Sequence, residues 1–312
     1  MRGGLTLKPP EKNEVKHFRG NFSLFPVSMA VLGLSFLVFM FLAPLGTLIY
    51  SSLNPLYADP AVPQRLYDSL SSGDFEAFFA ELQVYAGNPM PAAFQDEVLL
   101  DALRVSLITS GASSIICMCF GLPLAYVLAR CDFPGRHMFK TLVELPMVLP
   151  PVVAGISLIL LLGPNTPLGS FLEQVGWELV FTWRGIILAQ TFVASPFFIR
   201  SAIMSFEEVP VSLELAARTL GASPLKVFRS VTLPLSARGL VAGWAMMWAR
   251  AMGEFGATIM VSSNVPGQSY TLTTAIYWKF WAGGVYPSIA AAIMLLAVSF
   301  AVLLTVRFLV ER

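Results

Sequence analysis

Apolar residues run through the chain in six long stretches, approximately Phe25–Tyr50, Leu103–Ala129, Phe139–Leu162, Ile186–Phe206, Gly239–Ser262 and Tyr286–Phe308, separated by segments richer in charge, proline and glycine. Each reaches the roughly 20 mostly apolar residues that a helix needs to cross a hydrocarbon core. The pattern predicts an all-α membrane protein with six transmembrane helices. It divides the chain into a leader (1–24), a first span (25–50), a loop (51–99) and a core of five further spans (100–310). The first stretch is too long for the apolar region of a signal peptide and lacks a clear small-residue cleavage site, so it is read as a retained anchor. In the third stretch Pro146, Pro150 and Pro151 should distort the helix and free carbonyls that protein or cavity water must satisfy. That favours an internal position over a lipid-facing one. Glu144, near the cytoplasmic end of the same stretch, is read as an interfacial group.

Composition agrees with a membrane setting. Hydrophobic residues fill 56% of the 312 positions and charged residues 12%, about half the charged share of an ordinary soluble domain. The net charge of +1 gives no reason to expect nucleic acid as a partner, and the informative quantity is where the charges lie. Arg2, Lys8, Lys12, Lys16 and Arg19 precede the first span; Arg130, Arg136 and Lys140 lie between the second and third; Arg218, Lys226, Arg229 and Arg238 lie between the fourth and fifth; Arg312 ends the sequence. With six spans all of these share one side, and the opposite loops hold only Arg65, Arg184 and Lys279. The positive-inside rule makes the basic side the cytoplasm and places both termini there.

The loop 51–99 carries Asp59, Asp68, Asp74, Glu76, Glu81, Asp96 and Glu97 against Arg65, and Phe75, Phe78, Phe79 and Leu82 recur at helical spacing between Asp74 and Tyr85. It reads as a partly helical extracytoplasmic cap or a docking surface for a soluble partner, too acidic to trap anions. Cys117, Cys119 and Cys131 have neither disulfide-framework nor zinc-ligand spacing.

The basic segment between the fourth and fifth stretches, residues 207–236, has its own pattern. Glu207 and Glu208 precede Pro210, which suits a first helical turn, and Gly221 suits a helix stop. A second helix is predicted from Ser223 as N-cap and Pro224 at the first helical position, through Phe228, to a stop at Pro234. On the first helix Val209, Leu213, Ala216, Ala217 and Leu220 form an apolar stripe with small residues at its centre. Such a stripe seats in a groove of a partner protein, or lies on the membrane surface or on its own bundle.

This segment resembles the Glu-Ala-Ala loop of permease subunits in binding-protein-dependent importers of the ATP-binding-cassette class. Aligned on Gly221, it gives Leu215, Ala216 and Ala217 for the Glu-Ala-Ala, Val231 for the family's isoleucine, and Leu233-Pro234 at the end; the acidic residue stands one position early, at Glu214. The resemblance implies a type I importer permease fold and a coupling loop made of Glu214, Leu215, Ala216, Ala217, Leu220, Gly221 and Pro234. It also implies a second permease subunit, read as an identical copy, two ATPase subunits that bind ATP and Mg, and an extracytoplasmic substrate-binding protein. The setting it implies is a bacterial or archaeal cytoplasmic membrane. No Gly-x-x-x-x-Gly-Lys-Ser/Thr occurs in this chain, and His17 and His137 are too few and too far apart for a catalytic cluster, so ATP hydrolysis is expected on another chain; the resemblance implies a transport subunit rather than an enzyme, with no cofactor or metal of its own.

The stretches from Trp248 to Thr258 and from Ser263 to Tyr277 are similar to the fifth span and following outer loop of the molybdate, tungstate and sulfate permeases. Arg250 and Glu254 stand four residues apart, hence on one helical face, and ionisable groups within a span cost a few kcal/mol unless paired or facing water. Either Arg250 supplies positive potential along an anion path, with Glu254 limiting how tightly the ion is held, or the two form a structural pair. Thr191, Ser195 and Thr258 are further candidates for passing a tetrahedral oxyanion along; in such spans most hydroxyls bond their own backbone. Gly253 and Gly256 permit close approach or a local break. The competing readings are a permease for another solute, such as ferric iron, thiamine or an organic anion, and an ion-coupled secondary carrier, which needs no docking loop.

Overall fold

The computed structural model describes residues 37–53, 62–86 and 90–311, together with 31 and 33–35. The expected leader, 1–24, and the start of the first span lie outside the described residues. Every regular element among the described residues is helical. In chain order these are a π-turn Val38–Leu42 leading into α1 (Ala43–Leu53), then α2 (Val62–Ser72), α3 (Phe75–Ala86), α4 (Met90–Phe94), α5 (Glu97–Arg130), α6 (Arg136–Val148), α7 (Pro151–Leu162), α8 (Pro167–Gln174) and α9 (Trp183–Glu208). There follow α10 (Val211–Thr219), α11 (Pro224–Val227), a π-turn Phe228–Thr232, α12 (Leu233–Met252), α13 (Gly256–Val261), α14 (Leu272–Trp281) and α15 (Val285–Glu311).

Three of these helices, α5, α9 and α15 over Val285–Phe308, are long and apolar enough to cross a membrane, and the bent pair α6 and α7 raises the number to as many as four. The stretches expected at 103–129, 186–206 and 286–308 fall inside α5, α9 and α15. Two others are interrupted. The stretch Phe139–Leu162 bends by 109° between α6 and α7. Pro150 and Pro151 cannot donate to the preceding turn, and Pro150 holds Leu149 extended at φ −68°, ψ 132°. Gly239–Ser262 is helical only as far as Met252, unwinds over Gly253–Phe255 and resumes as α13. The expected stop at Pro234 is absent: α11 runs through the π-turn directly into α12, with Pro234 in its first turn. Within that turn Leu233 N–H bonds the Phe228 carbonyl five residues back, and this re-registers the ladder where proline has no N–H to give.

The core is built by α5, α9 and α12, whose contact buries Leu128, Phe198, Phe206 and Met247. Small residues bring the backbones together. A Cβ at Gly243 would lie 2.5 Å from Ser201 Cβ, and Ser201 Oγ donates to the Gly239 carbonyl at 3.1 Å, so α12 crosses α9 on a glycine–serine seam. Along α5, Ser106, Thr109, Ser110, Ser113 and Ser114 are buried. Ser113 Oγ donates to the Ile187 carbonyl at 3.0 Å, and Ser106 Oγ accepts the Leu272 N–H at 2.9 Å. The outward faces are apolar, with Phe120 76% exposed. A surface of that kind fits a lipid environment.

The two helices that follow the interruptions pack on each other. A Cβ at Gly155 of α7 would meet Met260 Cβ at 2.7 Å, and one at Gly256 of α13 would meet Pro151 Cβ at 2.8 Å. The ends of the two interrupted apolar stretches therefore pack against each other.

Candidate functional site

Residues 207–236 project as α10 and α11 from the end of α9. Gly221, at φ +83°, takes the left-handed conformation that ends α10, and Ala222 N–H bonds the Ala217 carbonyl at 3.1 Å. Ser223 caps α11, its Oγ accepting the Lys226 N–H. The face that α10 turns outward carries Val211, Leu213, Leu215, Ala216 and Leu220, the last 89% exposed. Ala217 is half-buried, and Val209 leaves the expected stripe because it is the buried C-cap of α9.

Glu214 points the other way and is buried. Arg130 Nη2, from the last turn of α5, lies 2.9 Å from Glu214 Oε1 and also donates to the Val209 carbonyl at 2.8 Å. Thr232 Oγ1 from the π-turn donates to the same Glu214 oxygen at 2.8 Å. One carboxylate thus ties α10 to the end of α5 and the start of α12. Charge-assisted bonds in a shielded site are the strong class of hydrogen bond. The one-residue offset of the acidic residue places it on the inward face, while Leu215 takes the outward position. Phe228, beside Thr232, stacks edge-on against Tyr126 at 4.9 Å, and Tyr126 against Phe206 at 5.5 Å, pinning the π-turn to α5 and α9.

A second ionic cluster braces the same end. Arg136 donates to the Leu128 and Ala129 carbonyls at the C-terminus of α5 and to Asp132 at 2.6 Å, and Lys140 meets Glu207 at 2.7 Å. Glu144 faces Arg200 at 3.6 Å.

Around the interruption after α12, Arg250 and Glu254 come together as an ion pair. Glu254, 1% exposed, also accepts the Ala257 N–H at 2.8 Å, and its carbonyl accepts Thr273 Oγ1 at 2.9 Å. Its carboxylate therefore caps α13, which answers the unwound turn with a specific partner. Arg250 remains partly exposed on the same face. Thr258 Oγ1 and Thr191 Oγ1 are buried without a partner among the described residues, whereas Ser195 Oγ turns back to the Phe192 carbonyl at 3.4 Å. Thr191 and Ser195 lie on α9 and Thr258 on α13, and these two helices pack together.

Sequence reasoning missed Arg130 and Thr232 as partners of Glu214. It counted Arg130 only as an inside charge and Thr232 not at all; the available signal was an arginine in the last turn of a span, placed to reach a carboxylate across a short loop.

Comparison with known proteins assigns the family. The molybdenum transport system permease protein of Escherichia coli (strain K12) is 40% identical over 177 residues, 56% of this chain and 77% of that protein. The probable molybdenum ABC transporter permease protein of Haloferax volcanii is 38% identical over 72% of this chain and 82% of that one. The sulfate transport system permease protein CysT of Salmonella typhimurium is 36% identical over 68% of this chain and 76% of that one. Among solved structures, a bacterial ABC transporter involved in the import of the acidic polysaccharide alginate matches with a TM-score of 0.64 at 17% identity, covering 96% of this chain and 99% of that one, a likeness of fold. The secondary-carrier reading gives way to these matches. With residues 121–312 matching the family of binding-protein-dependent transport system inner membrane components, the chain belongs to that family and is an inner-membrane permease of an ABC importer.

Proposed function

We propose that this permease forms the translocation pathway for a tetrahedral oxyanion, molybdate, tungstate or sulfate, delivered by an extracytoplasmic binding protein. A separate ATPase, carrying ATP and Mg, drives it through the loop 207–236, and two identical permease copies enclose the pathway. One observation carries the coupling half of the reading: α10 exposes Leu213, Leu215 and Leu220 while Glu214 anchors its opposite face to the bundle. An apolar helix face held rigidly from behind is what a partner groove can both grip and push. The relatives named above support the oxyanion half. The pathway is proposed to run along Arg250, Glu254, Thr258, Ser195 and Thr191, with Arg250 supplying positive potential.

Leu213→Glu with Leu220→Glu is expected to lower co-purification of the ATPase at least about tenfold, as loss of buried apolar anchors does at interfaces, and to leave thermal unfolding of the permease in detergent unchanged. Undiminished co-purification refutes the coupling role. The substrate is read from ATPase stimulation in proteoliposomes by the cognate binding protein loaded in turn with each of the three ions. Absence of stimulation by all three removes the oxyanion assignment.

A further inference from the structure

A cavity of about 330 Å³ opens between α5, the N-terminus of α9 and the loop that joins α13 to α14, with Asp101, Arg104, Thr109, Trp183, Gly267 and Gln268 among its walls. It shares no residue with the pathway set around Arg250. The helix α5 has 34 residues, about 51 Å, against a hydrocarbon core of about 30 Å. With its Arg130 end at the cytoplasmic interface, Arg104 stands beyond the core on the extracytoplasmic side. Its guanidinium has no hydrogen-bond or ion-pair partner among the described residues. The other walls add donors, the Gln268 amide and the Trp183 indole N–H.

The walls are also stiff. Leu272 N–H, at the start of α14, bonds Ser106 Oγ on α5, Ser263 and Ser269 hydroxyls meet at 2.5 Å, and Asn264 Nδ2 donates to the Ile259 carbonyl of α13 at 3.2 Å, so the loop is fastened across itself and at both ends. Gly267, at φ +79°, turns the chain toward Asp101. The loop after α13 contributes Gly267 and Gln268 to the wall beside Arg104, and all three are exposed. We propose that the cavity receives the oxyanion when the binding protein releases it, with Arg104 as its cation. Asp101, on the same wall, keeps retention weak enough for the ion to move on, which a transfer site requires.

The inference rests on the oxyanion reading, and its test separates the two. Complexes of permease and ATPase, in proteoliposomes with the loaded binding protein, are assayed for both ion uptake and stimulated ATPase rate. Arg104→Gln is expected to lower uptake at limiting substrate about tenfold or more, the loss for one charge-assisted contact, with stimulated ATPase unchanged and Arg104→Lys restoring most of the uptake. In the wild-type complex tungstate should change the intrinsic fluorescence, and Trp183→Phe should abolish the change. Unaltered uptake in Arg104→Gln overturns the site. So does a parallel fall of uptake and stimulation, which would make Arg104 a contact for the binding protein. A wild-type complex that none of the three ions stimulates overturns the oxyanion reading itself, and the site with it.

Discussion

At the scale of single residues, Glu214 has the most to lose by substitution. Its one oxygen serves both Arg130 and Thr232, and Arg130 is itself shielded. Glu214→Gln keeps an acceptor for Thr232 but removes the charge opposite a partly buried guanidinium, an expected loss of about 2 kcal/mol; Thr232→Val removes one bond to a charged group, about 1.5 kcal/mol. The two losses should fall short of adding, because both act on the same carboxylate. Detergent-to-SDS unfolding midpoints of the single and double variants measure this, and a Glu214→Gln shift below about 0.5 kcal/mol would mean that the Val209 carbonyl alone holds Arg130.

At the scale of elements, apolar periodicity is legible wherever a helix is continuous and misleading wherever one breaks. Windows of hydropathy cannot distinguish a straight span from α6 and α7 bent by 109°, since both halves are apolar. Pro150 and Pro151 carry that information: they predict a distortion but not its size. Pro234 shows the opposite error: local chemistry said stop, and the chain continued, because one extra residue in the π-turn lets the ladder pass the proline while Phe228 and Thr232 hold their contacts. Glu254 was legible as half of an ion pair but not as the cap of α13, since that helix is visible only after the break is known. The π-turn explanation makes a sharp prediction. Deleting Ser230 restores a regular α-helix and puts the Pro234 ring against the carbonyl four residues back, an expected cost of about 3 kcal/mol. Pro234→Ala alone should be nearly neutral, and adding it to the deletion should recover most of the loss. If the deletion is equally damaging with alanine at 234, the π-turn serves some purpose other than passing the proline.

At the scale of the whole molecule, most of the ion pairs among the described residues gather at the two ends of the bundle. One end holds Arg130–Glu214 and the Arg136, Lys140 and Glu207 cluster; the other holds Asp96–Lys279, which fastens the start of α5 to α14 at 2.7 Å. Asp96 also caps α5 by accepting the Val98 N–H at 2.9 Å. Burial opposes its ionisation, but the Lys279 ammonium and the Val98 and Leu99 N–H groups outweigh that, and its pKa is lowered from the usual 3.8. The unfolded chain therefore binds a proton at Asp96 at a higher pH than the folded chain does. The stabilisation is complete above the unfolded value and disappears as pH falls from there through the lowered folded value. Asp96→Asn separates this charge effect from capping, since asparagine caps a helix nearly as well. Wild type should melt above Asp96→Asn in detergent at pH 7, and the gap should close as pH is taken below 3.8. Lys279→Met should abolish most of the gap at pH 7 by removing the partner. A difference between wild type and Asp96→Asn that stays constant across that acid range would locate the stabilisation in side-chain packing and not in the ion pair that joins α5 to α14.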